Sequence, residues 1–230
     1  VFANLVLADE INRAPAKVQS ALLEVMAERQ VSIGGVTRSV PQPFLVLATQ
    51  NPIESEGVYA LPEAQRDRFL MHVVVTHPSY AEELAIAERM SGVAPQADQV
   101  LTPEQLMGLQ AKVSQVFVHE AVKDYAVRMV MATRDPVRWG APDLAPQIAL
   151  GASPRGTLGL LSAGRALALM RGRTFLVPQD LTEVAPEVLR HRVMLSYDAL
   201  ADGVAVDDVV TRVLAAVPPP RVADDIRVAG

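Results

Sequence analysis

Two short apolar runs, each ending in a polar cluster, constrain this chain most. Leu5-Val6-Leu7-Ala8 leads into Asp9-Glu10-Ile11-Asn12, and Phe44 to Ala48 leads into Thr49-Gln50-Asn51-Pro52. Apolar runs of this length without alternation read as strands buried on both faces of a parallel sheet. Pro15 suits a first helical turn. Val18, Leu22, Val25 and Met26 then recur at helical spacing, predicting a helix to about Glu28. Gln30–Ile33 and Val36–Val40 flank Gly34-Gly35, which reads as a β-hairpin. A third strand is predicted over Leu70–Thr76, stopped by Pro78.

From Ser79 onward the pattern is helical. Helices are predicted over Glu82–Met90, from Thr102-Pro103-Glu104 towards Val116, and over His119–Thr133. Ser153 reads as an N-cap with Pro154 at the first helical position, opening a helix that runs to Arg171 before Gly172. Pro178 and Pro186 are expected to start two short helices, the second carrying Arg190-His191-Arg192. The fold class is therefore α/β first, then all-α, with residues 218–230 as a tail after Pro218-Pro219-Pro220.

Composition excludes several functions. The 230 residues carry a formal charge of −5, a poor match to a phosphate backbone, so no nucleic-acid partner is expected. With no cysteine there is no disulfide framework, thiolate zinc site or Cys nucleophile, and the chain suits a reducing compartment. No apolar run approaches the roughly 20 residues that span a bilayer. The four histidines lie on different elements without metal-ligand spacing. The chain opens Val-Phe-Ala in a strand-like run, which reads as a fragment whose upstream part is missing.

Ligands of open parallel sheets collect beyond the carboxyl ends of the strands. Apolar-Asp-Glu there suits Mg-nucleotide hydrolysis, with one carboxylate for the hydrated metal and the next for the attacking water. An Asn at the neighbouring tip, Asn51, can hydrogen-bond that water or a γ-phosphate. Both clusters also fit ordinary turns. Gln65-Arg66-Asp67-Arg68-Phe69 offers arginines to a neighbour's phosphate, and Arg155 is a cation in a first helical turn, where the helix favours anions.

Together these segments carry a resemblance. Residues 5–17 (LVLADEINRAPAK), 48–54 (ATQNPIE), 61–69 (LPEAQRDRF) and 151–156 (GASPRG) look like the MoxR family of AAA+ ATPases, in the family's order. The resemblance implies Asp9 and Glu10 as the Walker B pair, Asn51 as sensor 1, Arg68 as the arginine finger and Arg155 as sensor 2. It makes Gln30–Pro43 the hairpin inserted before sensor 1. It divides the chain into a partial nucleotide-binding core (1–99), a helical lid (100–217) and a tail (218–230). ATP and Mg²⁺ are the implied cofactors, with Asp9 holding the metal, directly or through water. A cytoplasmic homo-oligomeric ring, usually a hexamer, is implied, acting as a chaperone-like remodeller on client polypeptides, or in metal or cofactor insertion, with von Willebrand A domain partners.

The chain departs from the family pattern in two places. The loop G-x-x-x-x-G-K-[ST] is absent, there is no Gly-Lys pair, and the three lysines are Lys17, Lys112 and Lys123. The phosphate cradle is therefore expected upstream of Val1, and residues 1–100 alone are expected neither to fold well nor to bind ATP. The second departure is Arg66, where the family usually has Leu, which leaves Arg66 as a second finger candidate beside Arg68. A magnesium-chelatase-type ATPase subunit and a non-catalytic interaction module on the same scaffold are the alternative readings.

Overall fold

The computed structural model describes residues 2–51, 59, 61–93 and 95–221. Two apolar runs become a parallel pair, β1 (Leu5–Ala8) and β4 (Leu45–Ala48), with Leu5 opposite Leu45 and Ala8 opposite Ala48. The connection is α1 (Ala16–Glu28) followed by the hairpin β2 (Gln30–Ile33) and β3 (Val36–Ser39). The hairpin turns at Gly34 and Gly35, with φ of +60° and +79°, a conformation glycine adopts without penalty.

The pair is covered on one face only. Val6 and Val46 pack against a small cluster of Val25, Val40 and Phe44. The opposite face presents Leu5, Leu7, Leu45 and Leu47, each more than half exposed. This corrects the expectation of strands buried on both faces. Among the described residues nothing covers the leucine side.

Leu70–Thr76 is not a strand. A strand is defined by the ladder it joins, and among the described residues no strand pairs with this stretch. Leu70, Val73, Val74 and Val75 are exposed. The short helix α2 (Glu63–Arg66) precedes this stretch, and α3 (Tyr80–Met90) follows it, opened by a capping box between Ser79 and Glu82. Neither α3 nor α4 (Pro103–Gln115) has a buried residue. Thr102 caps α4 reciprocally with Gln105.

The main core lies in the helical part. It is built by α5 (Glu120–Arg134), α6 (Pro154–Met170), α7 (Pro178–Leu189) and α9 (Val206–Ala216), around residues such as Tyr125, Met129, Leu160, Leu176 and Leu181. A two-stranded antiparallel ribbon, β5 (Ile148–Leu150) with β6 (Met194–Leu195), and the short α8 (Tyr197–Ala201) complete it. Pro186 does not start a new helix but lies inside α7. An interior Pro costs about 3 kcal/mol. Burial of Val184, Ala185, Val188 and Leu189 around it offsets that cost and keeps the helix continuous. Asp180, fully buried, is held by Arg173 at 2.5 and 2.7 Å and by the Val177 N–H. Burial would raise its carboxyl, but these donors outweigh it and leave it below the ordinary value. No helix among the described residues is long and apolar enough to cross a membrane.

Candidate functional site

Side by side, β1 and β4 end at the same edge, so the residues that follow them meet. Thr49 N–H donates to the Ala8 carbonyl at 3.0 Å, and Ile11 N–H donates to the Thr49 carbonyl at 3.0 Å, carrying the pairing past the strand ends. At this edge the Thr49 hydroxyl donates to Asp9 Oδ1 at 2.5 Å and accepts the Glu10 N–H at 2.8 Å. Glu10 sits at φ +46°, ψ +51°, a left-handed conformation uncommon outside glycine. That bend ends β1 and starts the turn Ile11–Arg13. The Glu10 carboxylate, partly exposed, pairs with Arg13 Nε at 3.1 Å.

Asn51 lies at the end of the neighbouring strand, partly buried. Its carbonyl accepts from Asn12 Nδ2 at 3.5 Å, while Asn12 Oδ1 is buried with no hydrogen-bond partner among the described residues. Asp9, Glu10 and Asn51 are thus brought to one edge, with Asp9 exposed to solvent. Sequence reasoning does not single out Thr49 or Asn12. Their signal is register: Thr49 stands one residue past Ala48 as Asp9 stands one past Ala8. Residues Pro52, Ile53 and Glu54 of the second motif lie outside the described residues.

The hard carboxylate oxygens of Asp9 and Glu10 suit Mg²⁺, which takes one or two protein carboxylates and fills its other positions with water and phosphate. Among the described residues no group of three or more acidic or imidazole side chains is placed to hold a metal alone.

Arg155 and the Arg66–Arg68 segment meet at a second cluster. The loop Gly151–Ser153 is held on the end of α5, where Ala152 N–H donates to Thr133 Oγ1 at 2.9 Å and Arg134 Nε donates to the Ala152 carbonyl at 2.7 Å. Ser153 then caps α6 and turns its hydroxyl to the Asp67 carboxylate at 2.8 Å. Arg155 Nη1 donates to Asp67 Oδ2 at 3.2 Å, and Arg192 Nε donates to Asp67 Oδ1 at 3.0 Å. Burial would raise Asp67, but Ser153, Arg155 and the Arg192 charge outweigh it and hold the carboxyl below its ordinary value. Arg68 is exposed, and no hydrogen bond or ion pair engages its side chain among the described residues. Arg66 differs: its Nε is buried without a partner among the described residues.

Comparison with known proteins bears on the family and the fold. Residues 1–71 match the model of the ATPase family associated with various cellular activities (AAA), and residues 141–213 match the AAA lid domain. The chain is 58% identical over 222 residues to Chaperone MoxR1 of Mycobacterium tuberculosis, covering 96% of this chain. It is 37% identical over 201 residues to Protein MoxR of Paracoccus denitrificans, covering 82% of this chain. The chain spans 59% of the length of each of these curated relatives. A crystal structure of a Cytophaga hutchinsonii protein superposes with a TM-score of 0.92 at 39% identity, over 96% of this chain and 68% of that one. The parallel sheet and helical lid are those of a P-loop α/β nucleotide-binding fold, and the chain belongs to the MoxR family of AAA+ ATPases.

Proposed function

We propose that the complete protein hydrolyses ATP with Mg²⁺ at the subunit interfaces of a homo-oligomeric ring, a hexamer, and uses the cycle to remodel client polypeptides. The observation that carries this reading is the strand-end group: Asp9 oriented by Thr49, Glu10 at the bend, and Asn51 at the adjoining tip. Mg²⁺ bound with the triphosphate supplies charge neutralisation at the transferred phosphoryl group. Asp9 holds the metal, directly or through water. Glu10 accepts a proton from the attacking water, and Asn51 orients that water. Arg155 senses the γ-phosphate from the lid. Arg68, exposed and unengaged among the described residues, reaches from the next subunit.

In this reading residues 1–99 are part of the nucleotide-binding core, 100–217 the lid and 218–230 a tail, of which 222–230 lie outside the described residues. The phosphate cradle is supplied by sequence outside these 230 residues, which contain no Gly-Lys pair. Client remodelling draws support from the name of the chaperone MoxR1 and from its 58% identity, which also favours this reading over a magnesium-chelatase subunit. A von Willebrand A domain partner and a cytoplasmic location complete the proposal.

Glu10→Gln in the complete protein tests it. Nucleotide should stay bound while turnover falls by about 100-fold or more, since general-base contributions run to roughly 10²–10⁴. Undiminished turnover removes Glu10 from this role. Loss of all nucleotide binding together with turnover leaves the family assignment intact but counts against the division of labour between Asp9 and Glu10.

A further inference from the structure

Arg190, His191 and Arg192 follow α7 and take no part in the strand-end group, yet all three side chains turn to one stretch of chain, Asp67 to His72. The Arg192 side chain is 2% exposed. A guanidinium has five N–H donors, and those of Arg192 are all used. Nε donates to Asp67 Oδ1 at 3.0 Å. Nη1 donates to the Leu70 carbonyl at 3.1 Å and to the Val188 carbonyl. Nη2 donates to the Asp67 carbonyl at 3.1 Å and to the Phe69 carbonyl at 2.6 Å. His191 Nε2 meets the Phe69 carbonyl at 3.1 Å, and Arg190 Nη1 donates to the His72 carbonyl at 2.7 Å. The His72 N–H returns a bond to the Glu187 carbonyl at 2.8 Å.

Among the described residues no strand pairs with this stretch, and these side chains satisfy the carbonyls of Asp67, Phe69, Leu70 and His72. The two carbonyls that share Nη2 belong to the residues on either side of Arg68. The backbone of Arg68 is therefore bracketed by one buried nitrogen. The same guanidinium, with Arg155 and Ser153, engages the Asp67 carboxylate, and among the described residues no ion pair joins Asp67 to the adjacent Arg68.

We propose that Arg192, supported by Arg190 and His191, is a positioning residue for Arg68, setting where the Arg68 guanidinium enters the neighbouring subunit's site. This rests on the reading of Arg68 as the finger. Through Arg192 the lid of one subunit governs phosphoryl transfer in the next, because any lid displacement carries the 67–72 segment with it.

The test uses mixed rings of the complete protein. Wild-type subunits are mixed with an excess of Glu10→Gln subunits, whose own slow turnover is measured separately and subtracted, and which present their own Arg68. Adding Arg192→Lys to the Glu10→Gln subunit should lower turnover per wild-type subunit by about 10- to 100-fold, the scale of a 1 Å misplacement, with KM for ATP little changed. Adding Arg68→Ala instead should suppress at least as strongly. Ring assembly is checked by sedimentation, so a loss through misfolding is seen as subunits missing from the rings. Should Arg192→Lys subunits fail to assemble, Arg190→Gln takes their place and should suppress several-fold. Full wild-type turnover beside assembled Arg192→Lys (or Arg190→Gln) subunits, with Arg68→Ala still suppressing, overturns the positioning role. Full turnover beside Arg68→Ala subunits instead overturns the finger reading, and the positioning role with it.

Discussion

Thr49 and Asp9 stand one residue beyond the last paired positions of β4 and β1, and the Thr49 hydroxyl joins them at 2.5 Å while accepting the Glu10 N–H at 2.8 Å. One hydroxyl thus aims the first carboxylate and anchors the backbone of the second. Thr49→Val keeps the shape and removes both bonds. Stability should fall by about 1–2 kcal/mol. Turnover of the complete protein should fall by about 10-fold or more through misdirection of Asp9. Thr49→Ser should restore most of both. A Val variant with wild-type kinetics would show that Asp9 needs no such aim.

Gly151 passes against the end of α5. A Cβ there would stand 2.4 Å from the Thr133 carbonyl oxygen and 2.8 Å from Arg134 Cα, both backbone atoms that cannot step aside. Gly151→Ala should cost about 1–3 kcal/mol, seen as a lower urea midpoint. Gly108, inside α4, is the control, because nothing lies within 4 Å of the place its Cβ would take. Gly108→Ala should be neutral or stabilising by up to about 1 kcal/mol.

His191 gives a pH signature. Burial first, then the Arg192 charge, push it down to about 4. The unfolded chain takes up this proton near 6.5, and the folded chain only near 4. Stability should therefore be full above 6.5 and fall as the pH drops towards 4, by on the order of 3 kcal/mol from this group. His191→Gln should flatten the fall of the urea midpoint across this window. An unchanged pH profile in that variant would mean the imidazole protonates without cost.

Residues 1–100 produced alone should neither fold cooperatively nor bind ATP. Leu5, Leu7, Leu45 and Leu47 are exposed together, and the 67–72 segment would lose every bond from Arg190, His191 and Arg192. Circular dichroism melts and calorimetric titration with ATP check this. Tight stoichiometric binding would overturn it.

Features written over a few neighbouring residues are legible in the sequence. The Thr102-Pro103 and Ser153-Pro154 starts and the Gly34-Gly35 turn all form as expected, because each depends on side chains and dihedrals within one turn of the chain. Leu70–Thr76 misleads because an apolar β-branched run states only that a strand is permitted. Its partner decides: among the described residues no strand lies beside it, and the carbonyls of Leu70 and His72 go to Arg192 and Arg190. Pro186 misleads because local propensity predicts a break, while burial on both sides of it keeps α7 whole. At the candidate site, Asp9, Glu10 and Asn51 can be found from the strand ends they follow. Asp67 cannot, since its partners Ser153, Arg155 and Arg192 lie 86 to 125 residues away.

Both β1 and β4 read Leu-Val-Leu-Ala, and they lie like against like. Sliding one strand by two residues would again set leucines together, so greasy side chains are nearly blind to such a slip. Alignment is therefore delegated to polar stops: Asn4, whose Nδ2 donates to the Pro43 carbonyl at 2.8 Å at one end, and Thr49 with Asp9 at the other. The group poised for chemistry is also the ruler that measures the strands, so evolution cannot retune one without disturbing the other.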